Sequence, residues 1–285
     1  MPPALERAAL DAWYCLDAVR DIPPGRSTNR LLGVDLAVVR GETIAVTQAG
    51  TGEALAVQEG YGYLWASLGT PPADLPAIPE AAEPDRRMTI CGAISVKASG
   101  LRIVENFLDM AHFPFVHTGI LGSEPHTEVF QYKAEIRREV DEVWATECSF
   151  YQPQAALSAS GGILAQYMYR VATPFVTMLY KTCPAAPERW DVICLFVQPL
   201  DPGRCRAHPV MFLIDETSSE SDLVHFQQTI FLQDRIILEN QRPVLLPLEP
   251  RTEIPTRADA SSVAYRRWLK EKGLVYGTSA MAMTP

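Results

Sequence analysis

The residues with the most chemical promise lie in one stretch: Glu105-Asn106-Phe107-Leu108-Asp109-Met110-Ala111-His112-Phe113-Pro114-Phe115-Val116-His117. Asp109 and His112 are three apart, a spacing that puts both on one face of a helix. His112 and His117 are five apart, and an unbroken helix would turn their rings about 140° away from each other. Pro114 disfavours helical geometry at Phe113 and breaks the ladder, so the chain can fold back and bring His117 towards His112. Two imidazoles and one carboxylate on one side of a metal leave positions open for O2 and substrate, an arrangement suited to mononuclear Fe(II) chemistry. The carboxylate must come from elsewhere. The best candidate is Asp234, set among apolar neighbours in a long helical pattern, Phe231-Leu232-Gln233-Asp234-Arg235-Ile236-Ile237-Leu238. A carboxylate there is costly unless it is paired or bound to metal. A structural role remains open on the same residues. Asp109 and His112 could be a satisfied core pair, and Arg235 or Arg242 could neutralise Asp234.

These residues need elements to hold them, and the pattern predicts an α+β fold built on an antiparallel sheet. Residues 1–70 are expected to form a small β-rich lobe. Gly33–Arg40 and Thr43–Val46 are β-branched runs separated by Gly41-Glu42, a hairpin signal, and Ala54–Val57 and Tyr61–Ala66 continue the series. The Tyr61/Tyr63/Trp65 alternation reads as one strand face. Residues 70–86 carry Pro71, Pro72, Pro76 and Pro79 and mark a boundary, with a second domain over 71–285. That domain is expected to contain a strand over Met88–Val96 and a helix through about 101–112. Strands follow at Gln131–Arg138, Val143–Tyr151, Ala165–Ala172, Val176–Cys183, Asp191–Pro199 and Ala207–Ile214. A helix from Thr217 to about Glu239 and a last helix over Ala258–Lys272, closed by Gly273, complete the pattern.

Composition narrows the partners. The 285 residues are 47% hydrophobic and 21% charged, with a formal net charge of -9. An acidic chain is a poor match for nucleic acid or an anionic membrane. No run is long enough for a membrane span, and the first residues carry no secretory pattern, so a cytoplasmic location is expected. The six cysteines (15, 91, 148, 183, 194 and 205) contain no C-x-x-C pair and read as reduced, mostly buried thiols. His126, His208 and His225 are expected to be exposed or hydrogen-bonded structural residues.

Asn106-x2-Asp109-x2-His112-x4-His117, followed by Thr118-Gly119 and a distant helical Gln233-Asp234-Arg235, resembles the catalytic domain of Rieske non-haem iron oxygenases. Trp13-Tyr14, Gly60–Gly69 and Ala264–Leu269 also resemble that family, so the likeness runs over nearly the whole chain. It implies a helix-grip type of catalytic domain, with His112, His117 and Asp234 as ligands of one mononuclear Fe(II). Asp109 would be the bridging acid on the route of the incoming electrons, and Asn106 would line the site. The family's usual C-x-H and C-x-x-H ligands for a [2Fe–2S] cluster are missing, since the first histidine is His112. The strands that would flank the cluster loops remain, so the N-terminal lobe reads as a truncated Rieske-like lobe without a cluster.

The resemblance is closest to the O- and N-demethylating, phthalate-dioxygenase-like branch of the family, and the missing cluster ligands resemble a member of it that acts in caffeine breakdown. It implies O2-dependent N-demethylation of 7-methylxanthine to xanthine and formaldehyde. NADH would be used indirectly, through a separate Rieske-containing reductase. It further implies a glutathione-S-transferase-like structural subunit and a trimer-based homo- or hetero-oligomer. O-demethylation or ring hydroxylation of another small aromatic substrate, or a non-catalytic role in a larger oxygenase, are the alternatives.

Overall fold

The computed structural model describes residues 5–154, 156–157 and 161–283. A one-turn helix α1 (Arg7–Leu10) precedes six strands: β1 (Tyr14–Ala18), β2 (Gly25–Leu31), β3 (Val34–Arg40), β4 (Ile44–Gln48), β5 (Ala56–Gly60) and β6 (Tyr63–Ser67). They form two three-stranded sheets, ordered β1-β6-β5 and β2-β3-β4. The expected hairpin is present: β3 pairs with β4 around Gly41-Glu42-Thr43, with Arg40 opposite Ile44. β1 and β2 have no counterpart in the sequence reading.

The second part is built on an eight-stranded antiparallel sheet. Its strands are β7 (Arg87–Ile90), β8 (Ile94–Val96), β9 (Lys133–Arg137), β10 (Glu142–Gln152), β11 (Ile163–Thr173), β12 (Val176–Thr182), β13 (Trp190–Asp201) and β14 (Arg204–Leu213). The order is β7-β14-β13-β12-β11-β10-β9, with β8 also pairing with β14. The single strand expected over Met88–Val96 is thus two strands, broken at Cys91–Ala93, where Gly92 takes φ +81°. Helices α2 (Gly100–Leu108), α4 (Glu220–Asn240) and α5 (Ala260–Glu271) pack on this sheet or on one another, and a one-turn helix α3 (Phe113–Val116) follows α2. Gly100 lets α2 start close to the sheet, because a Cβ there would lie 2.9 Å from Val197 and 3.0 Å from Phe175.

The central strands are buried on both faces, so they read as nearly unbroken apolar runs. Met178, Tyr180, Val192, Cys194, Phe196, Val210 and Phe212 face Trp13, Cys15, Tyr63 and Trp65 of the N-terminal strands. The alternate residues Leu179, Ile193, Leu195, Met211 and Leu213 face a cavity on the opposite side. The sequence-predicted boundary at residue 70 falls in irregular chain, yet both hydrophobic clusters draw residues from either side of it. All six cysteines are buried and free. Among the described residues no helix is long and apolar enough to cross a membrane.

Candidate metal centre

α2 is where the first half of the site is anchored. Ser99 caps it, accepting from the Leu101 N–H at 3.3 Å and donating to the Gly277 carbonyl at 2.8 Å. Inside, Arg102 is 1% exposed and donates to Glu105 (2.9 Å), Glu253 (2.6 Å) and the Pro243 carbonyl (2.9 Å). Arg266 of α5 bonds the same two glutamates. This buried charge network ties α2 to α5 and to the segment after α4.

The helix ends earlier than its apolar pattern suggests. α2 stops at Leu108, and Asp109 adopts extended geometry (φ -88°, ψ 125°). The Asp109 Oδ1 accepts the Ala111 N–H at 2.7 Å, a local side-chain bond that competes with the helical ladder. Asp109 and His112 therefore do not share a helix face. They meet across a turn, with His112 Nδ1 3.1 Å from Asp109 Oδ2. Pro114 does not break a helix either. It sits in the first turn of α3, where a missing N–H costs nothing, with His112 at the N-cap and His117 at the C-cap. A one-turn helix with a histidine at each end brings the rings together, with centroids 5.0 Å apart. Phe113 is wedged beside both, 5.1 Å and 6.1 Å from their ring centroids.

α4 supplies the other half. Ser219 caps it by accepting the Asp222 N–H at 3.1 Å, and Leu223, Phe231 and Leu238 are buried along its length. Two neighbouring residues on this helix reach the histidines. Asp234 Oδ1 lies 3.2 Å from His112 Nε2 and 3.0 Å from His117 Nε2, and the two Nε2 atoms are 3.1 Å apart. Gln233 Oε1 accepts from His117 Nδ1 at 2.8 Å. Arg235 pairs instead with Glu239 at 3.0 Å, and Arg242 donates to the Glu239 and Gln241 carbonyls. The arginines that could have neutralised Asp234 are thus engaged elsewhere. Asn106 Nδ2 lies 3.3 Å from Asp234 Oδ1 and 3.4 Å from His112 Nε2.

The hydrogen bonds decide what this cluster can hold. Asp109 and Gln233 present acceptors to the two Nδ1 atoms, so each neutral ring carries its proton there and turns a bare Nε2 inward. Two such lone pairs and a carboxylate oxygen then converge with 3.0–3.2 Å between them. A proton could bridge only one of these contacts, whereas a metal ion could bridge all three. The spacing matches one face of an octahedron, whose edge is about 3.0 Å for bonds of about 2.1 Å, better than a tetrahedral edge of about 3.4 Å. Among the described residues this is the one group of three or more His, Cys, Asp or Glu side chains placed to share a metal ion. Burial alone would lower the His112 pKa, but the hydrogen bonds to Asp109 and Asp234 outweigh it and push it up to about 9. Burial would raise Asp234, but its bonds with His112 and His117 hold it below the usual carboxylate range. Without a bound ion the cluster thus favours a proton on His112, the place that a metal cation at Nε2 would take. The donor set fits a mononuclear Fe(II) with open positions.

The cluster separates two spaces. On one side is a partly enclosed cavity of about 110 Å³, reaching His112, His117 and Asp234 and walled by Phe107, Leu179, Ile193, Met211, Phe226 and Phe231 among others. At about 10–15 Å³ per water it holds roughly eight water-sized groups, the scale of a small ring system. On the other side is an open cleft of about 800 Å³ that reaches Asp109, His112 and Asp234. Phe107 of α2 and Phe226 of α4 are among the aromatic walls of the 110 Å³ cavity. Gln228 donates to the Cys91 carbonyl at 2.8 Å, and Tyr151 packs on His126 with ring centroids 4.4 Å apart. Tyr169 is buried beside Phe107. His126 and His225 are exposed, whereas His208 is fully buried and bonds Gln198 at 3.3 Å. The sequence analysis named Gln233 only within the helical motif and gave it no role, although its place beside Asp234 was a usable signal.

The family of vanillate O-demethylase oxygenase C-terminal domains matches residues 96–273. A probable methylxanthine N7-demethylase, NdmC, from Pseudomonas sp. (strain TJI-51) is 47% identical over 272 residues, covering 95% of this chain and 96% of that protein. In structure the chain is similar to NdmA of Pseudomonas putida CBB5 with caffeine, at TM-score 0.78 and 17% identity over 96% of this chain and 94% of that one. It is also similar to dicamba monooxygenase bound to 3,6-dichlorosalicylic acid, at TM-score 0.73 and 13% identity, covering 93% and 98%. The chain belongs to the Rieske non-haem iron oxygenase family, through a catalytic domain of the vanillate O-demethylase type.

Proposed function

We propose that this chain is the iron-bearing component of an oxygenase that N-demethylates a methylxanthine, taking 7-methylxanthine to xanthine. The observation that carries the reading is the convergence of His112, His117 and Asp234 at the end of an apolar cavity, with Asp109 and Gln233 fixing both rings. The 47% identity to a probable methylxanthine N7-demethylase supports the substrate class. The balanced reaction takes one N-methyl group, O2, two electrons and two protons to N–H, formaldehyde and water. Bound Fe(II) supplies the O2 activation needed to oxidise the methyl C–H bond.

The rest is done by the chain. His112, His117 and Asp234 hold the metal on one face and leave the cavity side open. The cavity's apolar walls exclude bulk water and orient a flat ring. Asp109 accepts from His112 Nδ1 and reaches the open cleft, with its side chain 29% exposed. It is therefore the residue through which electron delivery can be felt at His112. The cleft also carries exposed Ile237 (52%) and Ile254 (89%), an apolar rim suited to a docked protein.

Residues 1–111 contain no histidine and so cannot supply the usual cluster ligands. The reading therefore includes a separate Rieske-containing reductase that draws on NADH, a trimer-based assembly and a glutathione-S-transferase-like structural subunit. It takes residues 1–70 as a reduced lobe and 71–285 as the catalytic domain. Metal and acid-labile sulfide analysis, followed by O2-dependent turnover with supplied electrons, tests it. The expected result is about one iron, no sulfide, and formaldehyde released in step with xanthine. Failure to retain iron after anaerobic loading would overturn the catalytic reading and leave a structural subunit.

A further inference from the structure

One wall of the cavity holds a polar atom that none of the described residues bonds. After a bulge in β10, Cys148, Phe150 and Gln152 alternate onto its inward face. Phe150 packs edge-on against Phe113, 5.5 Å between centroids, and Phe113 is the ring wedged beside the two imidazoles. Gln152 is the next inward residue. It is 1% exposed, and it lines the same cavity as His112, His117 and Asp234. Its Oε1 is buried and, among the described residues, has no hydrogen-bond partner.

Several other polar groups on this cavity are engaged, while Gln227, also buried on its wall, is a second buried amide there. Asn106 donates to Asp234, Asp191 accepts the Ile214 N–H at 3.2 Å and faces Lys181 across the strands, and Asp215 accepts from Thr217 and Ser218. A buried amide oxygen without a donor is a standing cost, and native structures rarely leave one without a reason. In a cavity sized for a ring, a ligand N–H is such a reason.

We propose that Gln152 determines specificity by reading an edge of the substrate on which a ring N–H stands beside a carbonyl. The Gln152 Oε1 accepts the ring N–H, and the NH2 of the same carboxamide is the matching donor for the carbonyl. This rests on the demethylase reading and deepens it. A xanthine presents such an edge wherever a pyrimidine-ring nitrogen carries hydrogen. Methylation of that nitrogen pushes a methyl group against Oε1 and leaves the acceptor orphaned. Sites built to bond an N–H discriminate strongly against analogues that lack it.

The test is calorimetric titration of the anaerobic iron-loaded protein with 7-methylxanthine and with 1,3,7-trimethylxanthine. Wild type is expected to prefer the first by about 10- to 100-fold. Gln152→Met keeps an unbranched side chain and removes both polar atoms. It should weaken 7-methylxanthine by that factor and leave the trimethylated ring within about threefold, so the preference collapses. Thermal melting and the trimethylated ligand report whether the variant is folded. Equal affinity of wild type for the two ligands overturns the proposal without recourse to any variant. An unchanged preference in Gln152→Met overturns it as well, while the demethylase reading stands. Wild type that holds iron and binds neither ligand overturns that reading, and this inference with it.

Discussion

Replacing Gln233 by leucine isolates what orients His117. The bond is 2.8 Å long, and the His117 side chain is 1% exposed, so water cannot substitute for the lost acceptor. Leaving the Nδ1–H unpaired costs about 1–3 kcal/mol. The loss also frees the ring to carry its proton on Nε2, the atom that faces the metal position. Partners of this kind are worth about 10- to 100-fold in metal affinity, which is about 1.4–2.8 kcal/mol. The two routes give the same size of effect. Anaerobic titration with Co(II), followed by its ligand-field absorption, should show Gln233→Leu binding 10- to 100-fold more weakly than wild type. Gln233→Glu, which keeps an acceptor, should bind at least as well as wild type. A Gln233→Leu affinity within about twofold of wild type would mean that packing against Phe113 alone orients the ring, and the argument from the Nδ1 bond would fail.

Asp109→Asn keeps an oxygen that can accept from His112 Nδ1 but loses the charge. Iron content should stay near that of wild type, while turnover with the electron donor falls by about 10- to 100-fold; undiminished turnover would remove Asp109 from the electron route. Arg102→Met deletes the buried cation between Glu105 and Glu253, for which about 3–5 kcal/mol is expected. Arg266 still touches both glutamates, so urea denaturation should report the lower end, and a loss under about 1 kcal/mol would show the network to be dispensable. Burial of His208, with a smaller push from Arg206, drops its pKa to about 3. The unfolded chain takes up a proton near pH 6.5 that the folded chain refuses. Stability should therefore fall by about 1.4 kcal/mol per pH unit as pH drops from 6.5 towards 3. His208→Leu should flatten that slope in denaturant titrations across pH 4–7; equal slopes would assign the acid sensitivity elsewhere.

The two histidines and Asp234 were legible through the combination of the His112–His117 spacing, a carboxylate that is costly in apolar company, and the resemblance to the oxygenase family. The route by which they meet was not. Periodicity runs from Leu101 through Met110 without a break, and nothing in it announces that the Asp109 carboxylate would capture the Ala111 N–H and end the helix. Pro114 was read as a breaker where it is a starter, because proline's effect depends on whether it falls inside a helix or in its first turn. The long strands β10–β14 were found within a few residues, β12–β14 because both faces are buried and β10 and β11 because buried and exposed residues alternate along much of their length. β2 (Gly-Arg-Ser-Thr-Asn-Arg-Leu) was missed because only its last residue is buried, and an edge strand of that kind has no apolar face to recognise. Gln152 could not be singled out, since its significance lies in a missing partner that only three dimensions reveal.

A lobe without cluster ligands still has work to do in this fold. β12, β13 and β14 form the floor of the cavity with Leu179, Ile193, Leu195 and Met211. Their alternate residues (Met178, Tyr180, Cys194, Phe196 and Phe212) form an equally apolar surface on the opposite side. Trp13, Cys15, Tyr63 and Trp65 cover it, with Trp65 and Phe196 in edge contact at 4.7 Å. Without β1 and β6 that aromatic face would meet water, and the strands that position the cavity would lose the layer behind them. On the proposed reading, in which another protein carries the cluster, these strands need no cluster to persist, because the second hydrophobic face of the sheet binds them. The N-terminal lobe is thus held by the same two-sided burial that shapes the cavity, independently of any redox centre.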